Sequence, residues 1–184
     1  MVKLNVPLWG QPQRHNQCVP TCIKMVLEHL RTKYGESIPR LSIKRISKIV
    51  NMQIDGTIPK DVENINTFLC KGNPVVVFKT DILGNFRQIK KEIIEKETPV
   101  IVWINNADPP DEVWHAVVVI GFDSETNMVT YNEPLDRSEK DEEVGIFTSK
   151  WGFESRMARV NVIKTQQRQI REWASNIVEG ETNE

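Results

Sequence analysis

The stretch HNQCVPTCIKMVLEHL, residues 15–30, holds two of the chain's three cysteines. After Cys18 the apolar residues recur at helical spacing and a proline suits a first helical turn, so a helix is predicted from Val19 to its end at Gly35. Cys18 then lies at a helix N-terminus. At such a position the helix dipole and free amides favour a thiolate and can lower a thiol pKa from ~8.5 to ~3.5–7.5. The chemistry indicated is nucleophilic attack.

A thiolate nucleophile needs a base, and the chain has three histidines. His15 is predicted in a polar loop and His29 lies within the helix. His115, next to Trp114, begins the apolar run HAVVVIGFD, which is typical of a buried strand. Because a strand anchors the ring, His115 is the best candidate base.

The base needs a group that orients its ring, and the substrate carbonyl needs an oxyanion donor. Asn132, in VTYNEP, ends the predicted strand antiparallel to that of His115, so its amide is expected near the ring. Gln11, Gln13 and Gln17 all precede the nucleophile, and each qualifies by type as the oxyanion donor.

The other cysteines are interpreted as structural. Cys22 falls one helical turn after Cys18 and should face the core, and Cys70 ends a predicted helix. Zinc is the competing chemistry, because Cys18 and Cys22 could ligate together with His15 or His29. Structural zinc sites usually combine two close pairs of ligands, and Cys70 has no such partner nearby. We expect neither a metal nor another cofactor.

The elements that must position these residues form an α+β pattern. Helices are predicted first and strands later, with GFDSETNMV as a hairpin turn. Further helical patterns cover 42–50, 59–69, 85–97 and 168–178, and strand patterns cover 73–80, 98–106, 113–123, 127–134 and 156–165. We expect one domain over 1–165, an N-terminal helical layer packed on an antiparallel sheet. Residues 166–184 should be a closing helix and a frayed polar tail.

Composition narrows the function classes. The 24 basic residues are balanced by 25 acidic ones, which argues against a nucleic-acid partner. No stretch approaches the ~18 apolar residues of a membrane span, and the first ten residues do not form a signal peptide. Three cysteines without regular spacing do not predict a disulfide framework. A cytoplasmic protein is the expectation.

Several segments in order then support a family assignment. VPLWGQ, CVPTCIKMVL, WHAVVVIGFD, VTYNEP and FTSKW resemble the C39-like branch of the papain-like cysteine peptidases, over Val6 to about Arg159. The resemblance implies a papain-like fold, Cys18 as nucleophile, His115 as base and Asn132 as the orienting residue. It favours Gln11 as the oxyanion donor, with Gln13 still a candidate.

The resemblance also implies a function. It is hydrolysis of peptide or related amide bonds through a Cys-His-Asn triad and a thioester acyl-enzyme, with a transporter on a separate chain as a candidate partner. Val19 stands where the family usually has glycine. A peptide-binding domain without catalysis is therefore one alternative. A transferase or cyclase using the same acyl-enzyme is another, because water need not be the acceptor. The polar loops 106–114 and 135–145 are the predicted specificity elements.

Overall fold

The computed structural model describes residues 1–12, 16–69, 74–105, 114–151 and 155–163. The predicted closing helix, the loop 106–113, Cys70, Gln13 and His15 lie outside the described residues. In the part of the chain that the structure describes, no helix is long and apolar enough to cross a membrane.

Most helices come in the first half of the described chain and most strands in the second. The helices are α1 Cys18–Tyr34, α2 Ile43–Ile49, α3 Asn66–Leu69, α4 Phe86–Ile94 and α5 Val144–Trp151, with 3₁₀ segments at Gly35–Ser37 and Pro59–Ile65. The strands are β1 Val2–Lys3, β2 Val75–Asp81, β3 Val100–Asn105, β4 Trp114–Asp123, β5 Met128–Glu133, β6 Ser138–Glu143 and β7 Met157–Ile163.

The strands form one seven-stranded sheet in the order β2-β7-β3-β4-β5-β6, with β1 paired to β4. Every strand pair is antiparallel. Helices packed on an antiparallel sheet confirm the predicted α+β class.

Strand β4 is the centre of the core. All its residues from His115 to Phe122 are buried, and it pairs with β3, β5 and β1. Burying each valine or isoleucine of this run contributes about 1.5–3 kcal/mol relative to leaving it exposed. The position of His115 is therefore fixed by a strand that is buried along nearly its whole length.

Helix α1 packs on β4 through its buried side. The run from Val19 to Leu30 is buried except for Lys24 and Glu28, and Gly35, with φ 76°, follows the last helical residue, as predicted. Cys22 is fully buried and its thiol donates a hydrogen bond to the Ala116 carbonyl at 3.3 Å. The prediction that Cys22 faces the core is confirmed.

A β-bulge interrupts the pairing of β4 with β5. The register changes between Val119 and Gly121, and the carbonyl of Ile120 accepts from the backbone N–H of Leu4 instead. A Cβ on Gly121 would lie 3.0 Å from the Val2 carbonyl oxygen, so only glycine lets the N-terminal segment approach this closely.

One loop prediction was wrong. Residues 135–145 were expected to be a polar loop, but Ser138–Glu143 form β6 and pair along the whole of β5. The sequence SEKDEE has low strand propensity, and pairing with β5 overrides it. β6 lies at the sheet edge, where charged side chains discourage pairing with other chains.

Replacing Cys22 by alanine should lower the free energy of unfolding by about 1–2 kcal/mol, because a buried sulfur and its packing are lost. Urea unfolding measures this loss. In the same variant, mass spectrometry should still find alkylation of Cys18 in the folded protein. Preferential alkylation of Cys22 in the folded wild-type protein would contradict the packing described.

Candidate active site

The candidate nucleophile Cys18 is the first residue of α1 and is partly buried. The first intrahelical bond runs from the Thr21 N–H to the Gln17 carbonyl at 3.0 Å, so the Cys18 and Val19 amides have no partner within the helix. No side chain of Gln17 caps the helix. The helix start therefore offers donors beside the thiol.

The candidate base His115 is the second residue of β4 and is buried. Its ring contacts two groups: the Cys18 thiol, and the Glu133 carboxylate through Nε2. Burial alone lowers the His115 pKa, but hydrogen bonds and charge from Cys18 and Glu133 outweigh it and raise the pKa from 6.5 to about 9. Because Nε2 is occupied by Glu133, Nδ1 is the nitrogen left for Cys18.

Glu133, not Asn132, contacts the His115 ring. The predicted partner Asn132 is buried, but its amide donates to the Val6 carbonyl at 3.2 Å. Glu133 is also buried, and the oxygen that meets His115 accepts a second hydrogen bond, from the Leu135 N–H at 2.8 Å. The carboxylate is thus held from both sides.

Strand register explains the difference. Val118 is opposite Asn132, so Val117 is opposite Glu133, and His115 lies on the face of Val117. Glu133 is then a diagonal neighbour of His115 within reach of a long side chain, while Asn132 points to the other face. Without the bulge the pairing near the hairpin would continue and place Asn132 on the His115 face.

Of the two candidate oxyanion donors within the described residues, Gln11 and Gln17, the structure places Gln11 at the cleft. It lines the same cleft as Cys18 and His115, its N–H donates to the Pro134 carbonyl at 2.8 Å, and Gln17 does not line this cleft. The Gln11 side-chain oxygen is buried without a hydrogen-bond partner among the described residues. Asn132 and Pro134 both bond the N-terminal segment, so the end of β5 holds the segment that carries Gln11.

Val19, the departure from the family pattern, is 1% exposed and belongs to the hydrophobic core. Its branched side chain is therefore mostly taken up by packing, and its backbone amide still points out of the helix start. Val19 also lines the cleft beside Cys18.

Cys18 and His115 open into a cleft of about 750 Å³. One side carries Trp103, Trp114 and Arg156, with the Arg156 guanidinium 5.4 Å from the Trp114 ring centre. The other side is the segment 51–61, which the sequence analysis did not single out. Leu135, from a predicted specificity loop, also lines the cleft.

No group of three or more His, Cys, Asp or Glu side chains within the described ranges is arranged to hold a metal ion.

Glu133 is the site residue that sequence reasoning missed. The signal for it was the two-residue alternation of VTYNEP, which separates Asn132 from Glu133, but which of them shares the His115 face depends on the bulge.

Solved structures resemble this fold. The peptidase domain of Streptococcus ComA, described as a bi-functional ABC transporter involved in quorum sensing, matches with a TM-score of 0.58 and 16% identity over 90% of this chain and 100% of that one. A structure described as a C39-like peptidase from Bacillus anthracis matches with a TM-score of 0.67 and 15% identity, over 90% of this chain and 98% of that one. No curated protein sequence matches this chain.

The sequence itself also matches a family model. The model described as the Peptidase_C39 like family aligns with residues 3–158, which include the helix start at Cys18 and both strands that carry His115 and Glu133. The match spans most of the chain, and we conclude that this protein belongs to the C39-like peptidase family.

Proposed function

We propose that the protein is a cysteine peptidase in which Cys18 is the nucleophile, His115 the base and acid, Glu133 the orienting residue and Gln11 an oxyanion donor. Family membership supports peptidase chemistry in general. The observation that carries the finer proposal is the continuous chain from the Cys18 thiol through the His115 ring to the Glu133 carboxylate, at the edge of an open cleft.

The charges of this chain suit an ion pair. A His115 pKa of about 9 means that an imidazolium persists through neutral pH, as a thiolate partner requires. Glu133 presents a carboxyl group to the ring where the family resemblance implied the amide of Asn132. Its bond from the Leu135 N–H fixes the carboxylate and so fixes the ring.

Each step of the proposed reaction can then be assigned to a residue. The Cys18 sulfur attacks the substrate carbonyl carbon, and the oxygen becomes an anion facing the Gln11 side-chain amide and the free amides of the α1 start. His115 gives its proton to the leaving amine as the C–N bond breaks, which leaves a thioester on Cys18. His115 then takes a proton from water, which hydrolyses the thioester and restores the thiolate.

Asn132 has a different role in this proposal from the one first expected. Its amide holds the Val6 carbonyl, and thereby the segment from Val6 to Gln11, against the end of β5. It positions the oxyanion donor and does not act on the base.

A peptide is the proposed substrate. The ComA peptidase domain belongs to an ABC transporter by its description, which supports a peptide substrate and makes a transporter on another chain a candidate partner. The same acyl-enzyme would transfer to an amine in a transferase, and product analysis by mass spectrometry separates the two outcomes.

The first test measures thiol activation. Iodoacetamide should alkylate Cys18 faster in the wild-type protein than in the His115→Ala variant at neutral pH, where the charged His115 ring favours a thiolate beside it. The rate is followed by mass spectrometry from pH 4 to 10. Cys18→Ala should abolish peptide turnover without unfolding the domain. A profile that His115→Ala leaves unchanged would mean a binding domain without an ion pair.

Glu133→Gln should lower the His115 pKa, because the anionic partner is removed from a buried ring. NMR titration of the ring protons should show the change, and the alkaline limit of turnover should move to lower pH. The folded pKa exceeds the unfolded value of 6.5, so stabilisation by the His115 charge is complete below pH 6.5 and lost towards about 9. In the Glu133→Gln variant this stabilisation should be lost at a lower pH.

Asn132→Ala is the matched control for this prediction, because it changes the adjacent residue on the opposite face of β5. The His115 titration should stay in place. A shift caused by Asn132→Ala and not by Glu133→Gln would restore the sequence-based assignment.

Gln11→Ala should slow acylation by on the order of 10²–10³, because an oxyanion donor acts on charge that appears in the transition state. Alkylation by iodoacetamide, which forms no oxyanion, should be unaffected. Stopped-flow measurement of acyl-enzyme formation gives the rate, and Gln17→Ala serves as the control outside the cleft. Equal losses in both variants would assign the effect to the helix start.

A further inference from the structure

Residues of the segment 51–61 form a wall of the cleft, and the proposed mechanism gives this wall no role. Its core is a two-residue turn: the Gln53 N–H donates to the Gly56 carbonyl at 2.7 Å, and the Gly56 N–H donates to the Gln53 carbonyl at 3.2 Å. Gly56, with φ 117°, adopts a conformation open mainly to glycine. Ile54 and Asp55 therefore stand at the tip of a defined turn.

Asn16 ties this turn to the nucleophile. Its side-chain Nδ2 donates to the Ile54 carbonyl at 2.8 Å, and a Cβ on Gly56 would lie 3.9 Å from the Asn16 Cβ. Asn16 is two residues before Cys18 and lines the same cleft. The hydrogen bond thus joins the turn to the segment that leads into the nucleophile.

The wall has a definite chemistry. Asp55 and Asp61 line the cleft, and neither carboxylate has an ion-pair partner among the described residues, which otherwise pair many of their acids. Between them along the chain, Ile58 lines the cleft with a largely exposed apolar side chain. An aliphatic chain that ends in a cation fits both features.

We propose that Asn16 is a positioning residue for substrate recognition: it holds the Gln53–Gly56 turn against the nucleophile segment, and the turn presents Asp55 to a lysine or arginine side chain of the substrate. This inference rests on the proposed peptidase function. Asn16 acts through the turn and touches neither the reacting atoms nor the triad.

Peptidyl vinyl sulfones provide the probe, because they alkylate an activated thiol without needing a known cleavage sequence. Pairs carry lysine or Nε-acetyl-lysine at one of three positions next to the reactive group. Wild-type protein should react with the best lysine probe about three- to tenfold faster than with its acetylated partner. A wild-type protein without this preference at any position would overturn the proposal.

Asn16→Ala and Asp55→Asn should each remove that preference through the inhibitor constant KI, with little change in the maximal inactivation rate. The double variant should lose no more than either single one, since both changes act on one contact. Glu95→Gln, which removes an exposed acid outside the cleft, is the control and should keep the preference.

Iodoacetamide alkylation separates this proposal from the peptidase proposal. If Asn16→Ala slows iodoacetamide as much as the lysine probe, Asn16 acts on the nucleophile and the recognition role is wrong. If Cys18 of the wild-type protein is not activated at all, the peptidase proposal fails. In that case the lysine and acetyl-lysine peptides are compared directly by their affinity for Cys18→Ala protein, where equal affinities would also reject the recognition role.

Discussion

The close packing of the first turns of α1 on β4 is the constraint on which the site depends. Cys22 donates to the Ala116 carbonyl, and this contact joins the residue one turn after Cys18 to the residue immediately after His115. Cys22, Ala116 and the valines that follow Ala116 in β4 are all buried, and this packing holds the two elements together. Thiol and imidazole meet because their neighbours in the chain are packed together.

The last two residues of β5 make contacts on opposite faces of the sheet. On one face the carboxylate of Glu133 holds the His115 ring, and on the other the amide of Asn132 holds the N-terminal segment. Both side chains are buried, so each needs its hydrogen bonds to offset the loss of water. Two consecutive residues thereby connect the proposed base and the proposed oxyanion donor to the same strand.

The sequence predicted those parts of the site that local patterns determine. The start of α1 followed from Pro20 and the apolar spacing after it, and the position of His115 followed from the buried run of β4. The pairing of His115 with Glu133 depends on one unpaired residue, Ile120, whose presence changes which face each later residue of β5 occupies. No local preference of NEP reveals that.

The strand β6 and the wall at 51–61 were missed for a related reason. The residues of SEKDEE favour a strand only because β5 offers a ladder beside them. The wall becomes part of the cleft through the hydrogen bond from Asn16 to Ile54, which joins residues 38 positions apart. Such contacts are products of the folded chain and leave little trace in the pattern of either segment.

The hydrogen bonds that hold the N-terminal segment to β4 and to the end of β5 have a consequence for the synthesis of the protein. The Gln11 backbone bonds Pro134, and Asn132 bonds Val6 in the same segment. The position of Gln11 is therefore defined by residues that are synthesised more than a hundred positions after it. Ribosomes add about 5–20 residues per second, and contacts this distant in sequence close late in folding. A nascent chain that already carries Cys18 therefore lacks His115 and Glu133, and has no fixed position for Gln11, for several seconds. The proposed active site is therefore completed only after β4 and β5 have joined the sheet.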